Sequence, residues 1–243
     1  MTDNRISTGS YDLNKWLYGG YEKSIVTMIA GPPGSGKTNM AVLAACSQAK
    51  KGYKIIFIDT EGGFSSDRIK QIVGKENFEI ILKNILLLSP ANFEEQKKVF
   101  TTLNNQLKKE QITLIVVDGM AMLYRLELGE AKIEGDETIK KVNSEMARQM
   151  KILAEISKRQ DIPVIITNQV YSGFQTEEDW KKGIEREVNI VGGDLLQYWC
   201  KCIIELRIEK GKRKALLRKH RSLPEKEMGF DIKNEGIVKR GWI

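Results

Sequence analysis

The segment Gly31-Pro32-Pro33-Gly34-Ser35-Gly36-Lys37-Thr38 satisfies G-x-x-x-x-G-K-[ST] in full, and its flanks restrict the fold. Ahead of it runs the apolar stretch Ile25-Val26-Thr27-Met28-Ile29-Ala30, and behind it Asn39 to Lys50 carries a helical pattern. A strand that ends in a glycine turn and opens a helix aims several backbone N–H groups and the positive helix end at one point, which suits a string of phosphates. In that arrangement Lys37 reaches the β- and γ-phosphates, the Thr38 hydroxyl holds Mg²⁺, and Asn39 follows in the first helical turn among the nucleotide-binding residues. The motif predicts a nucleotide site.

Strand-like and helix-like runs alternate over most of the chain. Ser24 to Ala30, Lys54 to Asp59, Ile85 to Leu88, Thr113 to Asp118, Pro163 to Thr167 and Cys202 to Ile208 read as strands. Thr38 to Lys50, Ser66 to Val73, Phe93 to Glu110 and Glu137 to Gln160 read as helices between them. This order predicts an α/β fold with a mainly parallel central sheet flanked by helices, in one domain over residues 1–243. The tail reads differently: Cys202 to Arg207, Arg213 to Arg218 and Gly229 to Ile232 predict antiparallel strands that extend the sheet, with Glu209 to Lys212 as a hairpin turn. Gly129 to Asp136 and Tyr171 to Gly193 are polar or aperiodic and predict mobile loops, on the side where an open α/β sheet places its ligands.

Three of the predicted strands end in polar residues suited to that side. Leu114-Ile115-Val116-Val117 ends in Asp118, placed to hold the Mg²⁺ water shell beside Thr38, although an Asp there also suits a cap on the next turn. Ile58-Asp59-Thr60-Glu61-Gly62 brings up Glu61, a general base for the attacking water or a solvent-facing turn residue. Thr167-Asn168-Gln169-Val170 puts the Gln169 amide at a strand tip, where it can feel the γ-phosphate and pass its presence to the following loop.

The net charge of +7 is concentrated near the carboxy terminus. From Lys201 to Arg221 there are nine lysines and arginines against Glu205 and Glu209, a local excess of seven. Such a field favours a polyanion, nucleic acid being the common one; a solvated lysine-rich hairpin reads the same way, and no aromatic residues interleave the charges. Cys46, Cys200 and Cys202 are too few and wrongly spaced for zinc; Cys200 and Cys202, two apart, are expected on one face of a strand as reduced thiols. No apolar stretch approaches the ~20 residues that span a bilayer, and no basic-then-apolar leader opens the chain. A soluble, unprocessed cytoplasmic protein without membrane contact is expected.

The motifs taken in order resemble one family. Ile6-Ser7-Thr8-Gly9-Ser10, the phosphate loop, Ile58-Asp59-Thr60-Glu61-Gly62-Gly63-Phe64, Val116-Val117-Asp118-Gly119, Thr167-Asn168-Gln169-Val170 and Val191-Gly192-Gly193-Asp194 are similar to the ATPase core of the RecA/RadA recombinases. Leu223-Pro224-Glu225, Phe230-Asp231-Ile232 and Glu235-Gly236-Ile237 extend the likeness across nearly the whole chain. The chain departs from the pattern as well. It starts almost at the core, without the amino-terminal helix-hairpin-helix domain, and it has no Phe-x-x-Ala segment to hook a neighbouring subunit. The Asp-Ser-Pro run that caps ATP across recombinase interfaces is replaced by His220-Arg221-Ser222. A short, core-only archaeal paralogue fits this combination.

The resemblance implies a RecA-like P-loop NTPase that binds ATP and Mg²⁺. Gly31, Pro32, Pro33, Gly34, Ser35, Gly36, Lys37, Thr38 and Asn39 would bind nucleotide, Thr38 and Asp118 the metal side, with Glu61 as catalytic glutamate and Gln169 as γ-phosphate sensor. Arg68 falls where the recombinases stack an arginine on adenine, though it also reads as a helix-surface residue. DNA would be held by Arg125 in a first loop and by Trp180, Lys181, Lys182 and Arg186 in a second that Glu177, Glu178, Asp179, Glu185 and Glu187 dilute. Backbone contact by Lys210, Lys212, Arg213, Lys214, Arg218, Lys219 and Arg221 is the stronger expectation. The implied role is a DNA repair and recombination accessory protein with weak or no DNA-stimulated ATPase. Its partners would be single-stranded or branched DNA and either the RadA recombinase or a Holliday-junction resolvase, with a homo-oligomer open. A filament-forming recombinase and a KaiC-like regulatory ATPase acting on a protein stay as alternatives; no cluster suggests the acceptor pocket of a metabolic kinase.

Overall fold

The computed structural model describes residues 4–172 and 188–241. Its first half runs β1 (Arg5–Ile6), α1 (Tyr11–Trp16), β2 (Tyr21–Glu22), β3 (Val26–Gly31), α2 (Lys37–Ala49), β4 (Lys54–Asp59), α3 (Ser66–Val73), α4 (Lys75–Lys83), β5 (Ile85–Leu88), α5 (Phe93–Lys109) and β6 (Ile112–Asp118). Its second runs α6 (Met122–Glu134), α7 (Asp136–Gln160), β7 (Val164–Ser172), β8 (Val188–Ile190), α8 (Gly193–Gln197), β9 (Cys200–Glu209), β10 (Lys212–His220), β11 (Lys226–Lys233) and β12 (Gly236–Lys239).

The parallel strands lie in the order β9-β3-β7-β6-β4-β5, and β10, β11 and β12 continue the sheet antiparallel beyond β9. Both faces of the parallel part are covered, which is why its strands read as unbroken apolar runs. Ile55 and Phe57 of β4 with Leu114 and Val116 of β6 pack toward α2, α3 and α4. Their neighbours Ile56, Ile58, Ile115 and Val117 pack toward α5, α6 and α7. The fold expected from the sequence is therefore present: an α/β, RecA-like arrangement with antiparallel carboxy-terminal strands. Its register sets the site, since Gly31 lies opposite Gln169 and Asp59 opposite Asp118 at the same end of the sheet.

Three local expectations are corrected. Gly129 to Asp136 is not a loop: α6 continues to Glu134, and only Gly135, at φ +117°, breaks it from α7. Ala131 is buried there and the Tyr124 hydroxyl donates to Asn143 Oδ1 at 2.7 Å, so packing on α7 overrides the helix penalty of Gly129. The expected loop from Tyr171 begins inside β7, which runs on to Ser172 and pairs with β8. Finally, Cys200 and Cys202 do not share a face. The β3–β9 register shifts between Val26 and Thr27, whose partners are Cys200 and Cys202, and this irregularity turns Cys200 to one core and Cys202 to the other. Both are buried free thiols, as is Cys46. Among the described residues no helix is long and apolar enough to cross a membrane.

Candidate nucleotide site

At the carboxy-terminal ends of β3, β4, β6 and β7 the chain turns four times within a small volume. A cavity of about 230 Å³ has Gly34, Gly36, Lys37, Thr38 and Asn39 on one wall and Glu61 and Gln169 on the other. The phosphate loop is held tightly from outside. A Cβ on Gly31 would come within 2.7 Å of Ser35 Oγ and 2.9 Å of the Leu206 backbone oxygen, and one on Gly36, at φ +107°, would meet Ile232 Cδ1 at 2.9 Å. Glycine is required there by the carboxy-terminal strands as well as by phosphate approach.

Lys37 is buried and curls back, its Nζ donating to the Gly31 carbonyl at 2.9 Å and the Pro32 carbonyl at 3.0 Å. Burial pushes its pKa down, while Glu61 and Asp118 pull it up. The ammonium thus satisfies itself on the loop that would present it to phosphate.

Asp118 is almost wholly buried, and its Oδ1 accepts the Thr167 hydroxyl at 2.6 Å. Its Oδ2 has no hydrogen-bond partner among the described residues. Burial raises its pKa, against the lowering effect of the hydrogen bond from Thr167 and of the nearby Thr38 hydroxyl. Beside this orphaned oxygen the chain leaves a gap at Gly63, where a Cβ would lie 3.3 Å from Asp118 Oδ2 and 3.4 Å from Thr38 Oγ1. A buried anionic oxygen without a donor, next to a hydroxyl and a space kept by glycine, fits a hydrated Mg²⁺ held between Thr38 and Asp118.

Glu61 is positioned by residues that sequence reasoning passed over. Asp59 Oδ1 accepts from the Glu61 and Gly63 amides at 3.2 and 3.1 Å, and its Oδ2 from the Phe64 amide at 2.9 Å. The Thr60 hydroxyl donates to the Asp118 and Gly119 carbonyls at 3.0 and 2.8 Å, tying the Glu61 turn to the end of β6. Gly119, at φ +88°, lets the Glu61 side chain lie against it: a Cβ would be 2.6 Å from Glu61 Cγ. The acid two residues before Glu61, at a strand end, was the available sequence signal for Asp59. On the same wall Gln169 Nε2 donates to Glu61 Oε1 at 3.2 Å. Its backbone carbonyl accepts from the Val191 amide at 3.0 Å, and Asn168 Nδ2 donates to the Val191 carbonyl at 2.7 Å.

Arg68 reaches away from the phosphates. Its Nε donates to Asn39 Oδ1 at 2.7 Å, and its other nitrogens to the carbonyls of Lys233 and Asn234 at 2.8 and 3.0 Å, in the turn between β11 and β12. Arg125 is exposed on α6. Lys181, Lys182 and Arg186 lie outside the described residues.

The basic hairpin is less free than its charge count implies. Arg218 Nε donates to Glu205 Oε2 and Arg207 Nε to Glu205 Oε1, both at 2.6 Å, while Lys214 pairs with Glu209 at 3.0 Å. Burial pushes the Glu205 pKa up, but the two arginines outweigh it and hold the carboxyl below the usual range. Arg221 pairs with Glu22 at 2.7 Å, Lys219 donates to the Gln197 carbonyl at 3.2 Å, and Arg213 places two nitrogens 3.2 Å from the Gly34 carbonyl. Lys210 and Lys212, at the exposed hairpin tip, make no such bond among the described residues.

Comparison with known proteins agrees with the motifs. A family model described as Rad51 matches residues 3–240. The chain is 41% identical to the DNA repair and recombination protein RadB of Methanobrevibacter smithii, over 97% of this chain and 96% of the relative. It is 37% identical to the RadB of Methanosphaera stadtmanae, over 96% and 95%, and 36% identical to that of Methanothermobacter thermautotrophicus, over 98% and 97%.

Proposed function

The chain belongs to the Rad51 family, which implies nucleotide binding with Mg²⁺, and from that premise we propose that it is an ATP-binding recombination accessory factor that contacts DNA. Its relatives carry names of DNA repair and recombination proteins. The observation that carries the finer reading is the Gln169–Glu61 hydrogen bond, because it joins a γ-phosphate sensor to the general-base candidate and, through Val191, to the segment that follows β7.

Lys37 and the loop amides from Gly34 to Thr38 bind the phosphates; Lys37 exchanges two carbonyl acceptors for phosphate oxygens. Thr38 and Asp118 hold Mg²⁺, which supplies charge neutralisation to the phosphates when bound. Glu61 orients the attacking water and takes its proton. Gln169 in turn chooses between Glu61 and the γ-phosphate, and the choice shifts the backbone that pairs with Val191. Arg68, anchored on the β11–β12 turn, lines the base side. DNA contact falls to Arg125, to the segment holding Lys181, Lys182 and Arg186, and to the hairpin tip at Lys210 and Lys212. The protein acts beside a recombinase or a Holliday-junction resolvase and turns ATP over slowly.

The test is ATP hydrolysis with and without single-stranded DNA at two salt concentrations, with direct binding of labelled ATP and labelled DNA. Salt-sensitive DNA binding with slow, barely stimulated hydrolysis is expected. Strong stimulation would replace this reading with an active recombinase. No DNA binding at low salt would replace it with a regulatory ATPase directed at protein.

A further inference from the structure

The largest cavity among those described lies at the opposite end of the sheet, where β3, β4, β6 and β7 begin. It encloses about 760 Å³. Its cationic wall is made by Arg5, Lys23, Lys51, Lys108 and Lys109, against Glu110 and Asp161. Arg5 donates to the carbonyls of Leu17 and Tyr18. The side-chain ammonium groups of the four lysines make no hydrogen bond or ion pair among the described residues, in contrast to most of the cations on the hairpin. Of the two carboxylates, Asp161 accepts from the Ser24 hydroxyl at 2.5 Å. The ring of Tyr53, 47% exposed, stands on the same wall.

Cations at this end have one ordinary explanation. The helices α2, α5 and α7 all finish here, and each carboxy terminus presents about half a negative charge, so about one and a half in total. Five cations less two carboxylates leave an excess of three, about twice what the helix ends offset. A neighbouring depression of about 350 Å³ shares Leu107, Lys108 and Gln160 with the groove and adds Arg159 paired with Glu155 at 3.8 Å, so it lengthens the groove without adding net charge.

We propose that this groove is a binding site for a short single-stranded DNA segment, with phosphates on Lys23, Lys51, Lys108 and Lys109 and a base stacked on Tyr53. The proposal rests on the reading that the chain contacts DNA, and moves its strongest electrostatic contact away from the phosphate loop. Unpaired ammonium groups release counterions on meeting phosphate, whereas a cation already paired must first lose its carboxylate. The exposed tyrosine supplies the stacking platform that the hairpin strands lack, and stacking is tolerant of sequence.

The experiment is anisotropy titration of labelled oligothymidylate over a range of salt, for the unmodified chain, for the K23S/K51S/K108S/K109S variant, and for Tyr53→Ser. The salt slope for single strands is about −0.7 per phosphate contact, so the four-lysine variant is expected to lose about 3 from the slope. Tyr53→Ser is expected to lose about ten-fold in affinity with the slope unchanged. ATP binding at the far end of the sheet should stay intact in both, and serves with the circular dichroism melt as the control for folding. An unchanged slope in the folded four-lysine variant overturns the groove while leaving the DNA reading standing. No binding by the unmodified chain overturns both. A Tyr53→Ser variant that binds as tightly as the unmodified chain removes the stacked base from the proposal.

Discussion

The phosphate-loop end of the sheet and the basic hairpin beside it hold charge in opposite ways. At the first, the charges are few, buried and incompletely matched: Asp118 keeps an oxygen without a donor, and Lys37 rests on carbonyls of its own loop. On the hairpin the charges are many and mostly matched: Glu205 takes Arg207 and Arg218, Glu209 takes Lys214, and Glu22 takes Arg221. An unmatched buried charge costs stability and is kept where a ligand completes it; a matched surface charge is finished without one. Charge count alone therefore ranks the two regions in the wrong order for ligand binding. Substitution on each side can break that contrast.

The largest effect is expected from Lys37→Ala. Charge-assisted hydrogen bonds contribute about 1.5–3 kcal/mol each, and two lost to phosphate oxygens lower ATP affinity by more than about 100-fold. Labelled-ATP titration reads this, and DNA affinity in the same preparation should stay nearly level. A folded variant that loses DNA binding too would show that the nucleotide and DNA sites are not separate.

Asp118→Asn comes next and has two signs. Removing the outer support of the metal is expected to weaken Mg²⁺-dependent ATP binding by about 10- to 100-fold. Without nucleotide the same change relieves a buried charge, so stability rises by about 1 kcal/mol, or about 2–4 °C in melting temperature. A melt that falls instead would mean that Asp118 Oδ2 is already satisfied, and the contrast between the two regions would fail at its strongest point.

The positions of these residues were readable in the sequence because a motif fixes which residue stands at each strand end. Lys37, Thr38, Glu61, Asp118 and Gln169 were all placed by motif; the parallel register brings Lys37, Thr38, Glu61 and Gln169 to one cavity and buries Asp118 at the neighbouring strand end. What escaped depends on partners distant along the chain. Arg218 looked like an open cation because Glu205, 13 residues away, becomes its neighbour only when β9 and β10 pair. Asp59 was invisible as an organiser because its acceptors serve backbone amides, which have no residue identity. The groove mixes Lys23 and Lys51 from two connections with Lys108 from the last turn of α5, so no window of sequence contains it. Gly129 failed for another reason: local propensity argued for a loop, and burial of Ala131 against α7 decided for a helix.

Glu205→Gln tests the matched side. With the carboxylate gone, a buried, charge-assisted pair of bonds is lost, at a cost of about 1–3 kcal/mol or a fall of about 2–12 °C in melting temperature. The sign of its pH dependence follows from a folded pKa held below the unfolded value. The contribution is complete above the unfolded pKa and disappears as pH falls through the folded one, so acid melts of the unmodified chain and of Glu205→Gln should converge at low pH. Arg218, released from its partner, should bind DNA more tightly than before if the hairpin touches DNA. Unchanged affinity in Glu205→Gln would place the hairpin's arginines outside the DNA contact.

The smallest effect is expected from Lys210→Ser with Lys212→Ser, and it distinguishes the hairpin tip from the rest of its strands. Both residues are exposed at the turn, Lys210 in the left-handed region at φ +49°, and neither is paired among the described residues. Surface changes of this kind leave stability within about 0.5 kcal/mol, so any change in DNA binding reports contact and not folding. Two single-strand phosphate contacts correspond to a loss of about 1.4 from the salt slope, half of that expected for the four groove lysines. Measured side by side, a larger loss at the tip than in the groove would reverse the assignment, because the matched hairpin would then deliver through two residues more than the unpaired groove delivers through four. Equal losses from both would instead describe one strand that meets the molecule at both ends of the sheet.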